Sequence, residues 1–423
     1  MVILREGYGY MDEARWRDAP AAVGTLHDLK AAQEVAERES PAEAVPGAKT
    51  MRRAYGFDEV AIVPGETTLN PDLTDISFFL GDLKFSLPFL AAAMDAVVDP
   101  AFAALFSSMG GLAVLNLEGV QTRYEEPNSI LEEIAAAPKG EVSALLQKVY
   151  SQPIRPELVG ERVRDITRRG GVSAVSCTPA WTKRLAPLAV EAGVGVFVVQ
   201  STVTTARHIS RSIEGLRFEK LCRDLPVPVI VGNTVSYGAC KELMETGVAA
   251  VLVGVGPSSI CTTREVLGIG VPQVTATIDC AAARDEYHRQ SGRYVPIITD
   301  GGVHSGGDMC KAFAAGADAV MLGTLLAGTR EAPGRGHHWG MAAPHAELPR
   351  GMRITMGVSS TVEKVLLGPT SRSDGTENLV GALRTAMGVC GAETIRDFHR
   401  AEMVVAPAIK TEGKGRQRAE NNS

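Results

Sequence analysis

From residue 85 onward, short apolar segments of strand length recur eight times, and that recurrence constrains the fold more than any other feature. They are LPFLAAAMD (87–95), GGLAVLNLE (110–118), VSAVSCTP (172–179), GVGVFVVQ (193–200), VPVIVGNT (227–234), AAVLVGVG (249–256), YVPIITDGG (294–302) and ADAVMLG (317–323). Several are nearly continuous apolar runs, as strands buried on both faces require. The stretches between them, such as PAWTKRLAPLAVEAG, ACKELMETG and GDMCKAFAAG, read as helices. Strands alternating with helices place the chain in the α/β class. Eight such units match a closed (β/α)8 TIM barrel better than an open sheet. Glycine, cysteine and aspartate follow several strands directly, which fits, because barrel chemistry collects at strand C-terminal ends.

Two spacings break the rhythm. About fifty residues separate the second and third segments where one helix would suffice, so residues 119–165 read as a short insertion after strand 2. The turn-rich stretch 329–357 after the eighth strand reads as an active-site loop, with a loose surface loop as the competing reading. Residues 85–405 form the expected barrel. Residues 1–84 form an N-terminal arm whose FDEVAIVPG packs on the barrel base or on a neighbouring molecule, and 406–423 form a charged, flexible tail. No sequence repeat of 20 to 50 residues is visible.

Charge and composition narrow the function classes. A formal net charge of −6 on 423 residues offers no field for nucleic acid, so any phosphate binding is local. The seven cysteines have no framework spacing, which points to a reducing compartment. The N-terminus has no targeting pattern, and no run of about 18 uncharged apolar residues reads as a membrane span. A cytoplasmic enzyme is expected. No HExxH, paired-cysteine or EF-hand pattern points to a transition metal, and no GxGxxG follows a first strand.

The segment VLVGVGPSSICTTREVLGIGVPQVTA (251–276) sets Cys261 among hydroxyl groups immediately after a strand. A thiolate there can add to an electrophilic ring carbon and leave again. The other six cysteines read as core residues. Three glycine-bearing strand ends, VGVGPSS, ITDGG and MLGT, make Ser259, Gly302, Gly323 and Thr324 phosphate candidates, although any one glycine can simply end a strand. Asp300 would be repelled by that phosphate and suits a ribose diol. Thr263 and Glu331 are candidate proton handlers; Glu331 alone also reads as a surface glutamate. His337 and His338 lie in the loop as possible bases.

These residues resemble the IMP dehydrogenase and GMP reductase family, in a subgroup without the regulatory domain pair. The resemblance runs from AAAMDAVVD (91–99) through VGNTVS (231–236), the cysteine loop, IITDGGVHSGGDMCKAFAAGADAVMLG, AGTREAPG and GMAA (340–343) to GALRTAMGVCGA (381–392), covering roughly residues 50–405. It implies a purine 5′-monophosphate (GMP or IMP) with C2 beside Cys261, a covalent thioimidate, and hydride exchange with a nicotinamide cofactor. By the same resemblance Asp300 holds the ribose, and Ser259, Gly302, Gly323 and Thr324 hold the phosphate. Met94, Gly340 and Met341 meet the substrate, while Gln200, Ser201, Thr202 and Asn233 face the cofactor. A potassium ion is expected on the carbonyls of Gly256, Ser258 and Cys261. A homotetramer, or an octamer of paired tetramers, is implied.

The departures from the family matter. The insertion is far shorter than a regulatory domain pair. After GMAA no adjacent Arg-Tyr pair follows to activate water; the Arg-Tyr at 123–124 lies in the insertion. Gln200 stands where the family has an aspartate. The expectation is therefore a GMP reductase using NADPH, with Cys261, Thr263 and Glu331 as catalytic residues. The alternatives are an IMP dehydrogenase using NAD, with Arg372, His337 or His338 as substitute base, a catalytically silent purine-nucleotide sensor, and a flavin-dependent barrel.

Overall fold

In the computed structural model, eight parallel strands close on themselves: β4 (Phe89–Ala91), β5 (Leu112–Asn116), β6 (Ala174–Cys177), β7 (Val196–Gln200), β8 (Val229–Thr234), β9 (Ala250–Val253), β10 (Ile297–Asp300) and β11 (Ala319–Leu322). β11 pairs in parallel with β4 and completes the barrel. Each strand falls within one of the eight segments read from the sequence, so the (β/α)8 expectation holds. The structure describes residues 49–209, 215–258, 260–340 and 352–406. An N-terminal unit ends at Arg53, and a compact unit begins at Ala54.

The apolar runs are continuous because alternate side chains enter two different cores. Leu90, Val114, Val198, Ile230, Leu252, Ile298 and Met321 fill the barrel interior. Their neighbours Phe89, Leu115, Phe197, Val231, Val253 and Val320 pack outward against the helices. An antiparallel hairpin before the barrel, β2 (Phe78–Leu80) and β3 (Leu83–Phe85), sends Phe78, Leu80 and Phe85 into the interior core and plugs its N-terminal end. Further out, β1 (Val60–Ile62) pairs with β14 (Met403–Val405), so the arm is fastened to the C-terminal part of the chain.

Local signals start the helices. Asp99 accepts the Phe102 N–H at 2.7 Å, with Pro100 in the first helical position, opening the helix Pro100–Ser108. Ser236 and Ser305 cap the helices Tyr237–Glu245 and Gly306–Ala314 in the same way. Among the described residues no helix is long and apolar enough to cross a membrane.

Within the insertion, Pro127–Ala136 and Val142–Ser151 are extra helices, while Pro156–Arg168 packs against the barrel helices on either side. Leu131, Ile134, Leu146, Val149 and Tyr150 share a small core with Ala96 and Trp339. Trp339 ends β12 (His337–Trp339), which pairs with β13 (Arg353–Thr355). Arg353 donates to the carbonyls of Ile134, Ala135 and Ala137 at the end of the first extra helix, and Arg335 pairs with Glu132 at 2.6 Å. The insertion is thus fastened to the hairpin that frames residues 341–351.

Candidate active site

A cavity of about 920 Å3 opens at the C-terminal ends of the barrel strands. On one side it is walled by the residues after β9, β10 and β11. Cys261 is partly exposed there, and its thiol donates to Thr263 Oγ1 at 3.2 Å. Thr263 is buried at the start of the short helix Thr263–Leu267, which fixes its hydroxyl. The Cys261 N–H closes the loop on the Ser258 carbonyl at 3.0 Å. Of the three carbonyls expected to hold potassium, one is therefore already an acceptor. Gly256 has φ +76°, and a Cβ there would lie 2.7 Å from Arg264 Cγ, so the loop passes over that arginine only with glycine.

Asp300 ends β10 with its carboxylate facing the same cavity. Oδ2 accepts from Asn233 Nδ2 at 2.8 Å and Gln200 Nε2 at 2.9 Å, while Gln200 Nε2 also donates to Asn233 Oδ1 at 3.0 Å. Burial pushes the Asp300 carboxyl up to about 6, against the pull of those two donors. Gln200 and Asn233, expected at the cofactor, line the cavity and also orient this carboxylate. Ser201 and Thr202 line it beside them.

Gly302, Gly323, Thr324, Met94 and Gly340 all reach the cavity. Gly323, Met94 and His338 converge: a Cβ on Gly323 would stand 3.5 Å from His338 Nε2 and 3.6 Å from Met94 Sδ. His338 is 1 % exposed, and its Nδ1 has no hydrogen-bond partner among the described residues. Burial pulls its pKa down to about 4, so the ring is neutral near pH 7. Ser259 and Met341 lie outside the described residues. Ser258 and Gly256 line the cavity.

Glu331 is not among the cavity residues; its Oε2 accepts the Val362 N–H at 3.0 Å. His337 and Arg372 also stand away from it. His337 Nδ1 lies 3.2 Å from Thr355 Oγ1, and Arg372 donates to the Ser359 carbonyl. No group of three or more His, Cys, Asp or Glu is placed to hold a metal ion among the described residues.

The opposite wall was not singled out in the sequence. Asn116 ends β5 and Glu118 follows it, and Thr178 and Trp181 follow β6, so the strand-end rule alone would have found them. Arg123 and residues 150–154 come from the insertion and carry no such signal. Glu118 accepts the Thr178 N–H, and burial raises its carboxyl above the usual range. Tyr150 is buried between two partners: its hydroxyl donates to Asp95 Oδ2 at 2.7 Å and accepts from Trp339 Nε1 at 2.9 Å. Asp95 also accepts the Val120 N–H at 2.9 Å, and burial raises its carboxyl to about 6.

Known proteins share this architecture. A family model described as IMP dehydrogenase / GMP reductase domain matches residues 54–414. An uncharacterized oxidoreductase of Mycolicibacterium smegmatis is 38% identical over 366 residues, covering 84% of this chain and 98% of that one. The inosine-5′-monophosphate dehydrogenase of Methanocaldococcus jannaschii is 26% identical, over 85% of this chain and 94% of its own length. The crystal structure of an IMP dehydrogenase/GMP reductase-like protein from Corynebacterium glutamicum superposes with a TM-score of 0.81 at 31% identity, covering 88% of this chain and 99% of that one. A cysteine in the loop after β9, a partly buried aspartate and a glycine-rich rim thus stand in a barrel matched along most of its length, and the chain belongs to the IMP dehydrogenase / GMP reductase family of oxidoreductases.

Proposed function

We propose that the protein is a GMP reductase, converting GMP to IMP and ammonia with NADPH. The observation that carries this reading is the Cys261 thiol bonded to Thr263 at the rim of a cavity that also presents Asp300, Gly302 and Gly323. The cavity lies near the upper end of the range for small-ligand sites, which fits a mononucleotide together with a cofactor. Asp300 would accept the ribose hydroxyls, and the backbone N–H groups at Gly302, Gly323 and Thr324 would take the phosphate.

The chemistry balances with few groups. The Cys261 sulfur bonds to C2 of the purine, and the bond from C2 to the exocyclic nitrogen breaks. The thiol proton passes through the Thr263 hydroxyl to the departing amine, giving ammonia and a neutral thioimidate. A nicotinamide held beside Gln200, Ser201, Thr202 and Asn233 would supply the hydride that C2 receives. The carbon–sulfur bond then breaks, and a proton from solvent restores the thiol. Glu331 joins this relay only if it leaves the Val362 N–H, so this reading rests amine departure on Thr263.

A second reading, IMP dehydrogenase with NAD, is favoured by His338: it lines the cavity, is neutral near pH 7 and has no partner at Nδ1 among the described residues, so it can hydrogen-bond a water, while burial leaves it a weak base. The deciding experiment follows absorbance at 340 nm with GMP plus NADPH, and separately with IMP plus NAD. A fall in the first with IMP and ammonia as products supports the reductase. A rise in the second alone replaces it with the dehydrogenase. GMP binding without turnover in either makes the protein a nucleotide sensor, and a yellow purified protein points to flavin. We further expect a homotetramer, tested by light scattering, and stimulation by potassium over choline salts, which would support the carbonyl site at Gly256, Ser258 and Cys261.

A further inference from the structure

The rim of the barrel divides into two arcs. Strand order runs β10-β11-β4-β5-β6-β7-β8-β9 around the closed sheet. Cys261, Asp300, Gly302 and Gly323 follow β9, β10 and β11, so the proposed nucleotide contacts occupy one arc. Glu118 and Thr178 follow β5 and β6 on the other, and the insertion lays Arg123 and Gln152 along that second arc. One cavity spans both.

Arg123 is the only lysine or arginine lining that cavity among the described residues. Its Nε donates to the Glu118 carbonyl at 2.9 Å, and Nη1 donates to the Gln152 carbonyl. Two neutral acceptors therefore fix the guanidinium; it forms no direct ion pair with a described carboxylate, although the charges of Glu118 and Asp95 act on it at longer range. A half-buried, rigidly held cation without a direct ion-pair partner is only partly compensated in the free protein. It is also preorganised for a phosphate, because its remaining N–H groups form a planar fork. The proposed mononucleotide has its phosphate donors on the other arc, so the anion that meets Arg123 belongs to a second ligand.

We propose that Arg123 binds a phosphate of the dinucleotide cofactor, which makes the insertion part of the cofactor site. This rests on the reading that a nicotinamide dinucleotide shares the cavity with a purine mononucleotide. It gives residues 119–165 a direct role in ligand recognition.

The test uses the full chain with Arg123→Gln and Arg123→Lys. Equilibrium binding is read from the fluorescence of NADPH and NADH, GMP binding from calorimetry, and KM from steady-state rates. R123Q is expected to weaken NADPH about tenfold or more, as loss of a charged hydrogen bond implies, with GMP affinity within about twofold of wild type. R123K should fall between. Equal losses for NADPH and NADH assign the contact to the pyrophosphate, and a loss confined to NADPH assigns it to the 2′-phosphate. A loss that persists with dihydronicotinamide mononucleotide assigns it to the phosphate beside the nicotinamide.

Unchanged dinucleotide affinity in folded R123Q overturns the assignment, as do equal losses for GMP and cofactor. Should R123Q not fold, unchanged affinity in R123K across a salt series overturns it. A wild-type protein that binds no dinucleotide defeats this inference and the reductase reading together. A wild type that turns over, with R123Q binding cofactor equally well, defeats only this one.

Discussion

The Cys261 thiol lies 3.2 Å from the Thr263 hydroxyl, and the proposed reaction rests on that pair. Replacing Cys261 with alanine should lower turnover by about a thousandfold or more, since the other thiol lining the cavity among the described residues, Cys177, is buried and pushed up to about 12, while GMP binding by calorimetry stays within a few-fold of wild type. Turnover surviving in C261A would rule out the covalent route. Asp300 gives a prediction in pH. Its folded-state pKa, about 6, lies above the ordinary value of 3.8, so the carboxylate is the minor form below pH 6 and the major form above it. If the carboxylate holds the ribose, GMP affinity rises as pH climbs through about 6 and levels beyond it. The nucleotide phosphate titrates in the same region, so the informative quantity is the difference between wild type and Asp300→Asn across a pH series of binding constants. Parallel curves would remove Asp300 from the ribose site. At this scale the sequence pointed to Cys261, Thr263 and Asp300, which do line the cavity, because one ends β10 and the other two lie shortly beyond β9. It did not identify Arg123 or Tyr150, since their places in the cavity depend on how a fifty-residue insertion folds back.

Between elements, the Tyr150 hydroxyl is the junction. It joins Asp95, one residue beyond Met94, to Trp339, which is flanked by His338 and Gly340, so one side chain of the insertion braces three residues lining the cavity. Tyr150→Phe keeps the ring and removes both hydrogen bonds, leaving the buried Asp95 carboxylate and Trp339 N–H with fewer partners. A loss of about 1–3 kcal/mol in stability is expected, with KM for GMP raised more than kcat is lowered. Denaturant titration and steady-state kinetics check the two halves, and unchanged KM would confine Tyr150 to packing. The barrel strands were legible because continuous apolar runs of four to six residues have few places to go except a parallel sheet covered on both faces. The β12–β13 hairpin was not. HHW and RIT are short, and their pairing is held by Trp339 and Arg353 reaching the insertion, a contact between segments more than 180 residues apart.

Across the whole molecule, one buried ion pair ties the last third of the barrel together. Arg284 is 2 % exposed and bonds Asp318 at 2.9 Å and the Gly316 carbonyl at 2.6 Å, while the Tyr294 hydroxyl donates to the same aspartate at 2.5 Å. Asp318→Asn removes the buried carboxylate and leaves Arg284 only the largely exposed Asp285, 2.9 Å from its Nε, which should cost about 3 kcal/mol by urea unfolding, the low end for a broken buried pair. A loss below about 1 kcal/mol would mean that Asp285 by itself compensates the Arg284 charge. The sequence alone determined the class, the strand number and the residues at the strand ends, because burial on both faces and glycine-bearing turns leave a local, periodic record. Only tertiary structure decided which of those ends share a cavity, that Gln200 orients Asp300, that Glu331 bonds Val362 away from the cavity, and that the insertion supplies Arg123. Those outcomes depend on contacts between residues far apart in the chain, and periodicity carries no trace of such contacts.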